Sequence, residues 1–435
     1  MTAESNQEKT QALLERHNNV MFPAIHPYFG DHPIAVDRAK DQYIWDVEGR
    51  QYLDFFGGVL TVSVGHCNDY VTQRIHEQLD KAQHTSTLYI NEIMVKTAEK
   101  VAELTPGRLQ KSFFTSSGSE ANETAILAAR MYTGKSQIIA LRHAYSGRTM
   151  TAMSVTAHGT WRLGTVTDPH ITHVRNPYTY RAPLGMSPEE LVELCVQDLV
   201  ETLETTTNGN VAAFMAEPIQ GVGGFITPPA EYFQRIIPII KEIGAVFIAD
   251  EVQTGWGRTG NKWFGIEHWG VEPDIMTFAK GMANGSPIGC TIATPEIAEA
   301  MTGLTFSTFG GNPVTMAATL ATIEYIEQNN LLQNAFDRGQ ELRNHLNAMQ
   351  EKYDFIGDVR GMGLMQGIEL VEDRESKAPD AKRANDLMVA CREQGMLVGK
   401  GGLHGNVMRI APHLNVSQED ITAGCNMFEA ALATL

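Results

Sequence analysis

The 435-residue chain is long enough for two or three domains and a large buried core. Its 43% hydrophobic and 20% charged residues are those of an ordinary globular protein. A formal net charge of −17 argues against nucleic acid or an anionic membrane as partner, while leaving room for a local basic pocket that takes a small anion. The first residues, MTAESNQEKTQALLERHNN, are polar and lead into no apolar segment of the secretory kind. No run reaches the roughly 18 apolar residues of a membrane-crossing helix. The five cysteines (Cys67, Cys195, Cys290, Cys391 and Cys425) are scattered, odd in number and never spaced C-x-x-C. That spacing argues against a disulfide framework or a zinc site and for a reducing compartment, read here as the cytoplasm.

In chain order, residues up to about 60 predict a helix followed by short strands. DQYIWDVEGRQYLDFFGG alternates Tyr43, Trp45 and Val47 and breaks at Glu48-Gly49, the pattern of a hairpin. From about 61 to 315, short apolar runs alternate with helical patterns. KSFFT, QIIALR, VAAFMAE, AVFIAD, DIMTFAK and GCTIAT read as buried strands, with ANETAILAARMY and EYFQRIIPIIKEIG as helices between them. Such alternation implies an α/β fold with a mostly parallel sheet covered on both faces. Residues 316–435 change character: two helical patterns precede short strands at GLMQGIEL and NVMRIAP, and an amphipathic pattern runs from Gln418 to the end. This predicts a smaller α+β domain.

Three strand ends carry candidate chemistry. After KSFFT, the turn Ser116-Ser117-Gly118-Ser119-Glu120 opens a helix, whose free N–H groups and positive dipole suit a phosphate; an ordinary N-cap reads equally well. Asp250 ends AVFIAD, at the sheet edge where open α/β folds bind ligands, and a carboxylate there can hold a protonated ring nitrogen or simply face water. Lys280 ends DIMTFAK. Desolvation there lowers a lysine pKa and exposes a neutral amine, although a snorkelling lysine fits the same pattern. Gly255-x-Gly257-x-x-Gly260 matches the dinucleotide fingerprint in form, but NKWFGIEHWGVEPD behind it lacks the helical period that the fingerprint needs. The motifs G-x-S-x-G, H-E-x-x-H and G-x-x-x-x-G-K-[ST] are absent, and the fourteen histidines form no ligand cluster along the sequence.

Taken together, SSGSEANETAILAAR, AYSGRT, AEPIQG, IADEVQTGWGRTG, DIMTFAKG, STFGGNP, VRGMGLMQGIE and MRIAP resemble the class-III aminotransferases in order and spacing, over roughly residues 30 to 430. The resemblance implies a fold type I pyridoxal-phosphate enzyme. A large domain (61–315) would hold a mostly parallel seven-stranded sheet, and a small α+β domain would be assembled from both termini (1–60 and 316–435). It implies pyridoxal 5′-phosphate bound to Lys280 as a Schiff base, with Lys280 also the proton shuttle. Asp250 would pair with the pyridinium nitrogen, Gln253 would bond the 3′ oxygen, and Tyr145 and Val252 would cover the two ring faces. Ser117, Gly118 and Ser119 would hold the phosphate, Glu217 would stand behind the ring, and Thr308 would reach the phosphate of a partner subunit, making a homodimer, or a tetramer of two such dimers, part of the site.

Arg409 resembles the arginine that clamps a substrate carboxylate. The family's Y-H-G reads Tyr145-Ser146-Gly147 here. In AEPIQGVGG, Val222 stands where ornithine and γ-aminobutyrate aminotransferases carry a glutamate that masks this arginine. The resemblance therefore favours the branch of alanine–glyoxylate aminotransferase 2, with an amino acid or amine donor and pyruvate or glyoxylate as the 2-oxo acid acceptor. Lyase and decarboxylase outcomes on the same scaffold, and more remotely a nicotinamide-dependent oxidoreductase, are the rival readings.

Overall fold

The computed structural model describes residues 3–25, 27–30, 32–164 and 167–435. Its centre is a seven-stranded sheet of β1 (Lys111–Thr115), β2 (Gln137–Leu141), β3 (Ile171–Val174), β4 (Val211–Ala216), β5 (Val246–Asp250), β6 (Ile275–Ala279) and β7 (Gly289–Ala293). The spatial order is β1-β7-β6-β5-β4-β2-β3. Only β7 runs antiparallel to its neighbours; the remaining pairs are parallel. Every residue of β4 to β7 is buried, as a sheet covered on both faces requires. The six apolar runs named from the sequence are six of these strands. The seventh, ITHV, is short and half-polar on an edge, and its periodicity does not distinguish it from a loop.

The helix between β1 and β2, α1 (Gly118–Thr133), is set at both ends by the sequence. Ser117 Oγ accepts the Glu120 N–H at its start, and Gly134 closes it in a left-handed conformation at φ 67°. Ala121, Ala125, Ile126, Ala128 and Ala129 face inward. These small side chains let the helix lie close to β6 and β7.

Two four-stranded sheets flank this core. The sequence-predicted hairpin forms between Tyr43–Asp46 and Gln51–Asp54, with Asp46 Oδ1 accepting the Glu48 and Arg50 N–H groups around the turn. A parallel strand at Met396–Leu397 joins it, so the two ends of the chain share one sheet. The second small sheet pairs Ile356–Met362, Met365–Leu370, Val407–Ile410 and Gly399–Gly401.

No helix turns up behind Gly255, Gly257 and Gly260. Residues 252–264 form an irregular loop that leads into the short 3-10 turn Gly265–Trp269. Gly260 sits at φ 74°, and a Cβ there would lie 2.9 Å from the Phe336 backbone, so this glycine serves loop packing. Without a helix N-terminus the dinucleotide reading has no phosphate site.

Candidate active site

The carboxyl ends of β1, β4, β5 and β6 converge on one cavity of about 500 Å³. Ser117, Gly118, Ser119, Tyr145, Glu217, Asp250, Val252, Gln253 and Lys280 all line it, so nine of the eleven residues named from the sequence come together. Open α/β sheets place ligands at this edge because the strand ends splay and the helices that follow point their N-termini into the gap.

On one side the cavity is closed by the start of α1. Ser117 is spent in part on capping, but the Ser119 hydroxyl and the first amides of a 16-residue helix face inward. Gly147 must lack a side chain, since a Cβ would overlap Ser119 Oγ; Arg148 donates its N–H to that oxygen at 3.1 Å. Such a corner is built for an anion.

Opposite it stand two buried carboxylates. Asp250 Oδ2 accepts from Asn122 Nδ2 at 2.9 Å and Oδ1 from the Val252 N–H at 3.1 Å. Glu217 accepts the N–H groups of Tyr145 (3.1 Å) and Gly221 (2.8 Å). Burial pushes both carboxyls up, and Asp250 pushes Glu217 further by like-charge repulsion. A cationic partner in the cavity offsets that burial for Asp250.

Lys280 follows β6 directly and adopts φ +47°, a conformation rare for a residue with a Cβ. Burial, reinforced by the positive charge of Arg409 and opposed by Asp250 and Glu217, brings its amine down to about 8. A neutral amine is therefore available near physiological pH, as attack on a carbonyl requires.

The residues fit pyridoxal phosphate on grounds internal to the structure. Gln253 is buried with its amide oxygen unpartnered, and Gly221 must be a glycine because a Cβ would overlap that amide. Tyr145 lies half-buried, edge-on to Trp161 at 5.8 Å, leaving a ring face for the cavity. Val252 lines the cavity beside Gly118, where a Cβ on that glycine would meet the valine methyls at 3.4 Å. Anion corner, apolar walls, buried carboxylate and low-pKa lysine are the four features that the cofactor needs.

Two residues stand outside the cavity lining. Arg409, on Val407–Ile410, is buried behind it. Its Nε donates to the Lys400 carbonyl at 3.1 Å, and its guanidinium lies over Phe56 and Phe225 at 5.0 and 5.8 Å. Its Nη1 reaches the Gly221 carbonyl at 3.5 Å, no carboxylate among the described residues forms an ion pair with it, and Val222 stays apolar and buried. Thr308 is on an exposed turn away from its own chain's cavity.

Asn122, Arg148 and Thr149 also line the cavity, with no role assigned to them from the sequence, and Ser146 joins them beside Tyr145. Asn122 could have been found as the polar residue on the small-residue face of α1. Sequence reading also found no histidine cluster, whereas the fold brings His66 and His413 together at Asp54.

The class-III aminotransferase family model matches residues 28–432. An Arabidopsis thaliana relative described as alanine–glyoxylate aminotransferase 2 homolog 2, mitochondrial, is 41% identical over 89% of this chain and 80% of its own length. A leucine/methionine racemase from Thermococcus litoralis is 37% identical over 98% and 96%. A solved amine transaminase from an uncultivated Pseudomonas species, described as PLP-bound, superposes with TM-score 0.89 at 31% identity, covering 95% of this chain and 98% of that one. The expected family and cofactor are thereby borne out. The chain belongs to the class-III aminotransferases, pyridoxal-phosphate-dependent enzymes that move an amino group from a donor to a 2-oxo acid.

Proposed function

We propose that the amino donor is a small α- or β-amino acid and that the acceptor is pyruvate or glyoxylate. The observation that carries this reading is Arg409: a buried guanidinium, in an ion pair with no carboxylate among the described residues, whose charge is felt at Lys280. A substrate carboxylate satisfies it and fixes the amine over the reacting end of the cavity. The presence of alanine–glyoxylate aminotransferase 2 proteins among the relatives supports the acceptor.

Bound pyridoxal phosphate supplies an electron sink for the bond broken at the amino-bearing carbon. In this reading Lys280 holds the cofactor and then carries the proton, Asp250 keeps the ring nitrogen protonated, and Gln253 bonds the ring hydroxyl. Ser117, Gly118 and Ser119 hold the phosphate, Tyr145 and Val252 confine the ring, and Glu217 braces the Tyr145 and Gly221 backbone behind it.

A homodimer completes the site in this proposal. Leu88, Tyr89, Ile90, Leu304, Phe306 and Phe309 are all more than half exposed, and His84 packs on Phe309 at 5.3 Å, so the two segments form one apolar patch. Thr308 lies within it, which supports its reach into a partner subunit. The division at 60 and 315 is supported by the small sheets, whose strands all lie outside that interval. No described helix is long and apolar enough to cross a membrane. All five cysteines are unpaired, which supports a reducing compartment such as the cytoplasm.

The test is a donor panel on the holoenzyme, following loss and recovery of the visible absorbance of the lysine-bound cofactor, with Lys280→Ala beside it. Alanine or β-alanine discharging the colour and pyruvate or glyoxylate restoring it supports the reading. Racemisation of a single amino acid without net transfer, the activity named for the Thermococcus relative, overturns it.

A further inference from the structure

We propose that Asp54, His66 and His413 form a binding site for one divalent transition-metal ion of the zinc class. The site lies at the base of the loop that carries Phe56 to Arg409.

The site is built from parts remote in sequence. Asp54 ends the strand Gln51–Asp54 and is buried. Its Oδ1 accepts the N–H groups of Phe56 (2.9 Å) and Gly57 (3.0 Å), which aims Oδ2 away from the loop. That oxygen stands 2.8 Å from His66 Nε2 and 3.8 Å from His413 Nε2. The two imidazoles meet edge-to-face with ring centres 4.9 Å apart. One ligand atom from each of the three residues lies within 4.8 Å of the other two.

His413 makes the arrangement more than a hydrogen-bonded pair. It is completely buried, and neither of its ring nitrogens has a partner. A neutral imidazole carries one N–H and one lone pair, so a buried ring with neither satisfied is destabilising. Coordination through Nε2, the nitrogen that faces Asp54, satisfies one of the two. Tetrahedral zinc–nitrogen and zinc–oxygen bonds of about 2.0–2.2 Å separate neighbouring ligand atoms by roughly 3.3–3.6 Å. The two distances to Asp54 Oδ2, 2.8 and 3.8 Å, bracket that range, and all three ligand atoms lie within 4.8 Å of one another, so side-chain rotations close the site. Two imidazoles and a carboxylate are a donor set that zinc and its neighbours take, with water in the remaining position. His66 is 15% exposed and opens that position to solvent. Arg258, held by the Pro412 and Leu364 carbonyls, is the nearby cation. Its repulsion weakens the site but leaves the directional nitrogen donors intact, which favours a zinc-class ion over calcium or magnesium.

The location gives such an ion a consequence. Gly57, Gly58, Val59 and Leu60 run consecutively at φ 56°, 58°, 67° and 59°, a strained segment for the last two. Its anchor is Asp54, and the preceding residue, Phe56, stacks on Arg409. His413 follows Arg409 closely in the chain. A metal ion here ties both sides of the carboxylate-binding arginine together.

The experiment uses the holoenzyme, dialysed against chelator, re-equilibrated with Zn²⁺ at micromolar free concentration, desalted and analysed for metal. One zinc per chain is expected in the wild type and in His170→Ala, which removes a half-exposed histidine bonded to Asp168. Affinity should fall at least ~10-fold in His66→Gln and His413→Ala. Cys67→Ser, at the exposed thiol, should keep the metal. Wild-type enzyme without zinc overturns the proposal irrespective of how any variant folds. Zinc lost with Cys67→Ser, or kept equally in His66→Gln and His413→Ala, overturns it as well.

Discussion

Asn122 donates its side-chain N–H to Asp250 Oδ2 at 2.9 Å. The same amide nitrogen reaches the Ser146 carbonyl at 2.8 Å, so a single side chain of α1 fixes the carboxylate at the end of β5 and the loop beyond β2. This donor holds down a carboxyl that burial drives up. Asn122→Ala removes it. A hydrogen bond to a charged group contributes about 1.5–3 kcal/mol, and 1.36 kcal/mol is one pKa unit. The Asp250 carboxyl should rise by roughly 1–2 units, and it must be ionised to work. The acidic limb of the kcat profile is expected to move to higher pH by that amount, with the alkaline limb unchanged. A profile that drops uniformly at all pH values would instead point to a packing defect.

Lys280 gives a second pH signature. Its amine is depressed to about 8, so the neutral form dominates above that pH and vanishes below it. Capture of added pyridoxal phosphate by the cofactor-free protein should accelerate as pH rises, with a midpoint near 8 and a plateau above it. A lysine with an ordinary pKa near 10.4 would keep accelerating. Arg409 is among the causes of the depression, so Arg409→Met should shift the midpoint upward. Stopped-flow absorbance across pH on both proteins checks the sign.

Strand ends and glycine turns made most of this site legible in the sequence. Apolar runs that stop at Asp250 and Lys280, and a Ser-Gly-Ser turn ahead of a small-residue helix, are local patterns with local causes. What stayed hidden depends on contacts across the chain. Asn122 reads as an ordinary helical asparagine until β5 lies beside it. His66 and His413 have no shared spacing, and they meet through long-range contacts between the two ends of the chain: the parallel pairing of Met396–Leu397 with Leu53 and Asp54, and the Ala411 and Leu414 N–H groups donating to the Phe55 and Ser63 carbonyls. The edge strand β3 was missed because four half-polar residues carry too little periodicity. The glycine fingerprint at 255–260 failed in the opposite sense: the residues are present, but what they serve is close packing, Gly255 on the Glu251 carbonyl, Gly257 on Leu332 and Gly260 on the Phe336 backbone.

The apolar patch around Thr308 makes assembly testable. Leu304 and Phe306 are strongly exposed in a single chain. Replacing both with glutamate places two charges in the proposed interface, and like-charge repulsion together with lost apolar burial should yield monomers by light scattering. If Thr308 completes a partner's phosphate site, those monomers should also bind the cofactor at least ~10-fold more weakly. Dimers that persist, or monomers with unchanged cofactor affinity, refute the shared site.

Arg409→Leu separates carboxylate recognition from catalysis. The substitution keeps an apolar side chain against Phe56 and Phe225 and deletes the charge. For a donor with a carboxylate next to the amine, loss of a charged, two-bond contact of about 1.5–3 kcal/mol predicts a fall in kcat/KM of roughly 10- to 150-fold. Amine donors without a carboxylate should lose nothing, and gain where the vacated space admits a larger group. The ratio of the two classes is the diagnostic, because a general weakening of the fold or of cofactor binding lowers both together. Lys280 adds a correction whose sign is known: without Arg409 its amine titrates higher, so the comparison belongs at a pH well above 8, where the lysine is neutral in both proteins. Selective loss of the carboxylate donors under that condition assigns their recognition to Arg409; equal losses assign its role to packing between the two small-sheet strands and Phe56.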